Sequence, residues 1–473
     1  MGSKCHSGGE GLMLFSSLTF LLAFLPLVLV LYYINNNRVY RNIILLISSL
    51  IFYSWGEPRT IIIMIITIIV NYVMAIMIEE KEKYRKLLFI VTCIFNIGIL
   101  FFFKYFNFFV NDVLMLKNVT LNIILPIGIS FYTFQILSYV IDVYKKEVVA
   151  QRSIINLGAY VTMFPQLIAG PIVRYQTIAK ELTERKEHVD DIAEGLRRFI
   201  IGLGKKIIIA NQMAIIADKV YLSIPLHDLN TMFAWIGTIA FALQIYYDFS
   251  GYSDMAIGLG KMFGFHFVEN FNYPYIATSI TDFWRRWHIS LSSWFRDYVY
   301  IPLGGSRCSK ARWMLNIMIV WSLTGLWHGA SYNFILWGLY YGVLLMMEKL
   351  LFKKYLDKLK GINYIITMLI VLVGWVFFNS SSVDQIIYMI RNLFGFNGSF
   401  SLILLNNQVI LYLLPYMLIA IIGMGPWINQ LFIKIRNNTI GFTIYDIYLV
   451  VILVVCLIFL INNSYNPFIY FRF

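Results

Sequence analysis

Six histidines occur in the 473 residues, and two are placed for chemistry. His6, His188, His227 and His266 lie in polar tracts or loops and read as solvated side chains. His288 and His328 lie among aromatic residues instead. A neutral imidazole is the usual side chain for taking a proton from a hydroxyl near neutral pH. His328 sits in Trp327-His328-Gly329-Ala330, a short break between the apolar runs 314–326 and 334–347. A titratable group at membrane depth is costly and points to function. Each flanking run is shorter than a bilayer core of roughly 30 Å, so His328 is expected in a recess below the outer surface. There is no GxSxG elbow, no HExxH and no P-loop, which removes serine-hydrolase, zinc-protease and nucleotide-hydrolysing chemistry. The four cysteines (Cys5, Cys93, Cys308, Cys456) show no CxxC and no Cys/His pairing, so neither a metal site nor a disulfide framework is expected. Base-assisted transfer to a hydroxyl is the reaction class left.

His288 belongs to a second focus, residues 280–298. Ser279 and Asp282 have the spacing of a helix N-terminal box. At helical periodicity, Ile280, Phe283, Trp284, Trp287, Leu291, Trp294, Phe295 and Tyr298 share one face, and Arg285, Arg286, Ser292, Ser293 and Arg296 the other. Such a helix belongs at a membrane interface. It reads either as a plain interfacial helix or as a cytoplasmic portal, with arginines attracting a phosphate-bearing donor and His288 pointing inward. A third polar focus, Tyr247-Asp248-Phe249-Ser250-Gly251-Tyr252-Ser253-Asp254, is either a polar helix end or a second broken helix in which Asp248 or Asp254 anchors a buried network. Gly258, Gly260 and Gly264 follow it and suit unwound or tightly packed backbone.

The elements that position these residues are membrane helices. Apolar residues make up 59%, charged residues 13%, and the mean hydropathy is +0.71. Only helices satisfy their own backbone in lipid, so the chain is expected to be an all-α polytopic membrane protein. Residues 1–12 read as a leader or tag-like extension, and 13–473 as a single integral-membrane domain. The formal charge of +13 is spread in short Lys/Arg clusters between apolar runs, the mark of positive-inside topology and not of a nucleic-acid face. The first five runs are 14–34, 43–56, 60–78, 87–109 and 120–144. Nine basic residues on one side of them against two on the other put residue 150 in the cytoplasm. The run 155–172 is broken by Pro165, Gly170 and Pro171 and followed by eight basic residues, so it is expected to be re-entrant. A surface helix at 182–198, crossings at 200–222 and 231–250, the pair flanking His328, a crossing at 362–379, a long outer loop at 380–408 and runs at 409–432 and 446–462 complete eleven or twelve crossings.

Several motifs together carry a resemblance that runs nearly end to end. They are Leu14-Phe15-Ser16-Ser17-Leu18-Thr19-Phe20, Gly128-Ile129-Ser130-Phe131-Tyr132-Thr133-Phe134-Gln135, Phe164-Pro165-Gln166-Leu167-Ile168-Ala169-Gly170-Pro171-Ile172, the Tyr247–Asp254 stretch, Asp282-Phe283-Trp284-Arg285-Arg286-Trp287-His288-Ile289-Ser290-Leu291-Ser292 and Trp327-His328-Gly329. The chain resembles the membrane-bound O-acyltransferase superfamily, in the branch of alginate and peptidoglycan O-acetyltransferases. The resemblance implies a bowl-like ring of helices with re-entrant and interfacial elements, in a bacterial inner membrane. It implies catalytic roles for His328 and His288, and substrate-binding roles for Trp284, Arg285, Arg286, Trp287, Gln166, Asp248 and Trp327. The expected donor is acetyl-CoA, a substrate and not a bound cofactor. An extracytoplasmic polysaccharide is the expected acceptor, reached through a partner acetyltransferase of SGNH type. Membrane lipids surround the chain, and no nucleic acid is expected. Two other classes stay open: a transporter or flippase using the histidines as a proton relay, and a lipid O-acyltransferase.

Overall fold

The computed structural model describes residues 13–116, 120–168, 170–352, 358–359, 361–396, 407–462, 465–466 and 469. The leader at 1–12, most of the aromatic tail at 467–473, and Lys353, Lys354 and Lys360 lie outside the described residues. Within them, every regular element is a helix. Seven helices are long and apolar enough to cross a membrane, or eight if the pair Gln408–Gly423 and Trp427–Ile435, bent by 73°, is one span. The remaining expected crossings, such as the helices ending at Met262 and His328, are shorter or more polar than that measure requires.

The described residues form two compact units, one running to Phe199 together with Tyr252–Val268, and one made of Ile200–Gly251 with Glu269–Ile469. In the first unit the expected break in the re-entrant run is present. Helix Ile154–Thr162 stops at Met163, and a four-residue turn, Phe164–Leu167, follows with Pro165 near its start. The interrupted backbone is satisfied inside protein: Phe164 donates its N–H to Ser49 Oγ at 3.0 Å, and Gly170 donates to the Gln166 carbonyl at 3.1 Å. Gly128 meets this turn from helix Ile129–Tyr144. Its φ of +70° is left-handed, and a Cβ there would lie 2.7 Å from the Leu167 carbonyl oxygen.

Ionic contacts hold the first unit's loops. Glu187 accepts from Arg38 and Arg41, each at 2.5 Å, and from the Tyr32 hydroxyl at 2.5 Å, with Arg185 Nε at 3.5 Å. Arg185 also donates to the carbonyls of Glu181 and Phe263. Three guanidiniums around one carboxylate would repel each other if backbone carbonyls did not take up their remaining donors.

Several helix boundaries differ from the sequence reading. The surface helix and the crossing after it are one helix, Val189–Ser223, and the junction at Phe199-Ile200 holds no Gly or Pro to end it. The outer loop contains an amphipathic helix, Val383–Leu393. The third polar focus is neither a helix end nor a break: helix Thr231–Met262 runs straight through it. Its carboxylates tolerate mid-helix positions because each is paired. Asp254 meets Arg198 at 2.9 Å, and Asp248 meets Lys206 at 2.8 Å. Gly258 supplies the close packing: a Cβ on it would lie 2.5 Å from the Gly195 carbonyl oxygen.

In the second unit, helices Lys310–His328 and Tyr332–Met347 form an antiparallel hairpin. Two glycines bring their backbones together. A Cβ on Gly325 would lie 2.2 Å from the Phe334 carbonyl oxygen, and one on Gly338 would lie 2.3 Å from that of Trp321. Gly338→Val is therefore expected to destabilise the protein by about 1–3 kcal/mol or more through overpacking. Gly98→Val, where nothing lies within 4 Å of the added Cβ, should leave the melting temperature in detergent close to wild type.

Candidate active site

His328 is the last residue of its helix, and Gly329 turns the chain with its N–H on the Gly325 carbonyl at 3.4 Å. Gly329 is needed for space and not for φ, which at −171° is ordinary extended backbone. A Cβ there would lie 2.2 Å from the Phe334 ring. The imidazole is 8% exposed and lies in an aromatic box, with ring centroids of Trp327 at 4.9 Å, Trp337 and Phe378 at 5.1 Å and Phe334 at 6.5 Å. Such walls exclude water, and the polar atoms among them include the imidazole nitrogens and the buried indole N–H groups of Trp327 and Trp337.

His288 does not sit on a continuous helix. The expected single helix at 280–298 is two short ones, Ile280–Arg286 and Ile289–Phe295, with His288 between them at φ 45°, ψ 55°. A left-handed histidine is uncommon and marks a constrained position. The expected N-terminal box is present in part: Ser279 Oγ accepts from the Asp282 N–H at 3.0 Å, and Asp282 accepts from the Thr278 N–H at 3.3 Å. The Glu348 carboxylate completes the cap, accepting from the Ile280 N–H at 2.7 Å and the Thr281 N–H at 3.3 Å. That bond ties the His288 segment to the far end of the helix that follows His328.

The structure brings the two histidines to one residue. His288 lies 5.9 Å from the Trp327 ring, on which His328 also packs. Phe249 covers His288 at 4.5 Å. His288 is 2% exposed, and neither short helix is among the apolar spans. Burial pushes its pKa down to about 3, so the ring is neutral.

Trp284 joins the site through Trp337, at 5.5 Å, and also packs on Trp321 and Tyr341. Trp287 packs on Phe271 at 5.0 Å and on Trp375 at 4.8 Å, and Trp375 packs in turn on Phe378 of the His328 box at 5.6 Å. Arg285 is exposed. Arg286 is held by Asp282 at 2.9 Å and the Asn272 carbonyl at 3.3 Å. Asp248 is buried in its pair with Lys206 and accepts the Ile469 N–H at 2.9 Å. Gln166 belongs to the first unit, where its amide donates to the Tyr160 carbonyl at 2.6 Å.

Sequence reasoning missed Asn270, Trp337, Phe378, Glu348 and Lys206. Glu348 was findable as an acid closing an apolar run. Lys206 looked like one more cytoplasmic charge. Nothing in local pattern marks Asn270, whose partners lie eighteen and twenty positions on.

Comparison with known proteins shows which family the chain resembles. The description MBOAT, membrane-bound O-acyltransferase family, matches residues 144–383, which include both histidines. The chain is 41% identical to the probable alginate O-acetylase AlgI of Pseudomonas aeruginosa, over 88% of this chain and 83% of that one. It is 33% identical to the peptidoglycan O-acetyltransferase of Helicobacter pylori, over 82% and 80%. It is 32% identical to the teichoic acid D-alanyltransferase of Bacillus subtilis, over 47% and 59%. An apolar helical chain with two buried histidines and this likeness belongs to the membrane-bound O-acyltransferase family and is a multi-pass membrane O-acyltransferase.

Proposed function

We propose that the protein moves an acetyl group from cytoplasmic acetyl-CoA across a bacterial inner membrane toward hydroxyls of an extracytoplasmic polysaccharide, through an SGNH-type partner. The observation that carries this reading is the buried His328 at a helix end, sharing Trp327 with His288, in a chain whose relatives are named as alginate and peptidoglycan O-acetyltransferases. A lipid acceptor gains no comparable support from those names.

In this mechanism His328 accepts the proton of an acceptor hydroxyl as the oxygen attacks the thioester carbonyl carbon. The C–O bond forms, the carbonyl electrons move to oxygen, and the collapse of that intermediate breaks the C–S bond. The sulfur leaves as thiolate and takes the proton from the imidazolium, which restores neutral His328. The aromatic box keeps water, a competing nucleophile, from the thioester. His288, Trp284, Trp287 and Trp327 line the donor's route. Arg285 is free to meet donor phosphates, and Arg286 keeps part of its charge on Asp282. Gln166 and Asp248 retain substrate-side roles only through their own neighbourhoods: a buried broken turn and a buried ion pair.

Purified protein in liposomes with labelled acetyl-CoA and a candidate outer partner tests the reading. His328→Ala should lower transfer by about 10²–10⁴-fold without loss of folding. Retained transfer in folded His328→Ala protein overturns the assignment. Arg285→Ala should raise KM for the donor by about fivefold with kcat unchanged, as loss of one exposed charge contact of about 1 kcal/mol requires. Arg286→Ala should raise it less, because its guanidinium is already paired.

A further inference from the structure

Asn270 makes four bonds to the backbone and side chains of the His288 segment. Its carbonyl accepts from the Ile289 N–H at 3.0 Å. Its side-chain Oδ1 accepts from the Ser290 N–H at 3.2 Å and the Ser290 hydroxyl at 2.9 Å, and it lies 3.1 Å from His288 Nδ1. The first of these side-chain contacts fixes the other two. A backbone N–H can only donate, so the amide atom facing Ser290 is the oxygen and not the NH₂. An amide oxygen can only accept, so Nδ1 of His288 carries the ring proton. In a neutral imidazole the other nitrogen then holds a bare lone pair. That nitrogen, Nε2, is buried and has no hydrogen-bond partner among the described residues.

We propose that Asn270 is a positioning residue that locks His288 in the Nδ1–H tautomer, so that Nε2 is an obligate hydrogen-bond acceptor for an N–H or O–H group of a bound substrate. His288 orients a substrate, and proton transfer falls to His328. The inference rests on the transferase reading of this site. The groups it takes are an amide N–H of the acyl donor's arm or the hydroxyl of the acceptor. His288→Ala separates them: the KM that rises is that of the substrate gripped.

The charged groups on the elements around His288 are otherwise engaged or outside its reach. Asp248, beside the Phe249 that covers the ring, is paired with Lys206. Asp282 is paired with Arg286, and Glu269 is exposed. The neighbouring titratable group across Trp327 is His328. Replacing the amide by a carboxylate therefore places a single new negative charge against Nδ1. Asn270→Asp keeps an acceptor for both Ser290 donors but stabilises the imidazolium, whose Nε2 would donate and not accept.

The test uses full-length protein in liposomes with ¹⁵N-labelled histidine and solid-state NMR. The His288 signals are those lost in His288→Gln. Wild type is expected to show a neutral Nδ1–H ring throughout about pH 5 to 8. Asn270→Asp is expected to show imidazolium at the acid end, with acetyl transfer falling about tenfold or more from pH 8 to pH 5 relative to wild type over the same range. An Nε2–H or cationic ring in wild type overturns the proposal, as does a folded Asn270→Asp protein with the wild-type pH profile. If Asn270→Asp does not fold, the wild-type spectrum alone decides the tautomer. Should wild type show the Nδ1–H ring yet transfer no acetyl group to any acceptor, the transferase reading fails and the tautomer assignment stands.

Discussion

Burying an imidazole at the end of an apolar helix is costly unless something else occupies the space around it, and the hairpin through Gly329 meets that constraint. Helix Tyr332–Met347 begins after only three intervening residues and returns along the same path. The two glycines at the crossing let the backbones approach closely enough for Trp337 and Phe334 to reach the ring. With a wider hairpin, water would fill the gap beside the ring. The aromatic wall extends to Phe378 on the next helix, so three successive helices shape one side chain's surroundings.

The His288 segment solves a related problem by another means. It has no long helix to hold it, only two helices of seven residues each. Capping takes the place of length. Ser279 and Glu348 satisfy the N–H groups at the start of the first, and Asn270 holds the left-handed joint between them. The strain of that joint is balanced by bonds that reach across sequence, a pattern common where a side chain must be aimed.

Much of this was legible in the sequence. Hydropathy gave the membrane class, and the Pro/Gly breaks at Pro165 and Gly170 located the interrupted helix because those residues act on their own backbone. His328 stood out because an ionisable residue in an apolar run is a local anomaly. The same local logic failed where the cause is distant. Periodicity joined 280–298 into one helix, since Trp287 and His288 carry no breaker; the joint at His288 is bonded to Asn270, eighteen residues earlier. The stretch around Asp248 read as either a helix end or a broken helix anchoring a buried network; its partner, Lys206, lies on another helix. Charge pairing across helices overrides propensity, and a single sequence does not display it.

The Lys206–Asp248 pair bears on how the protein is made. The carboxylate accepts the N–H of Ile469, 221 residues further along the chain. A ribosome building the protein from its N-terminus has inserted both charges long before that donor exists. Until Ile469 emerges, one carboxylate oxygen lacks its backbone bond. A chain that stopped before Ile469 would thus hold the Lys206–Asp248 pair with one carboxylate oxygen lacking its backbone donor.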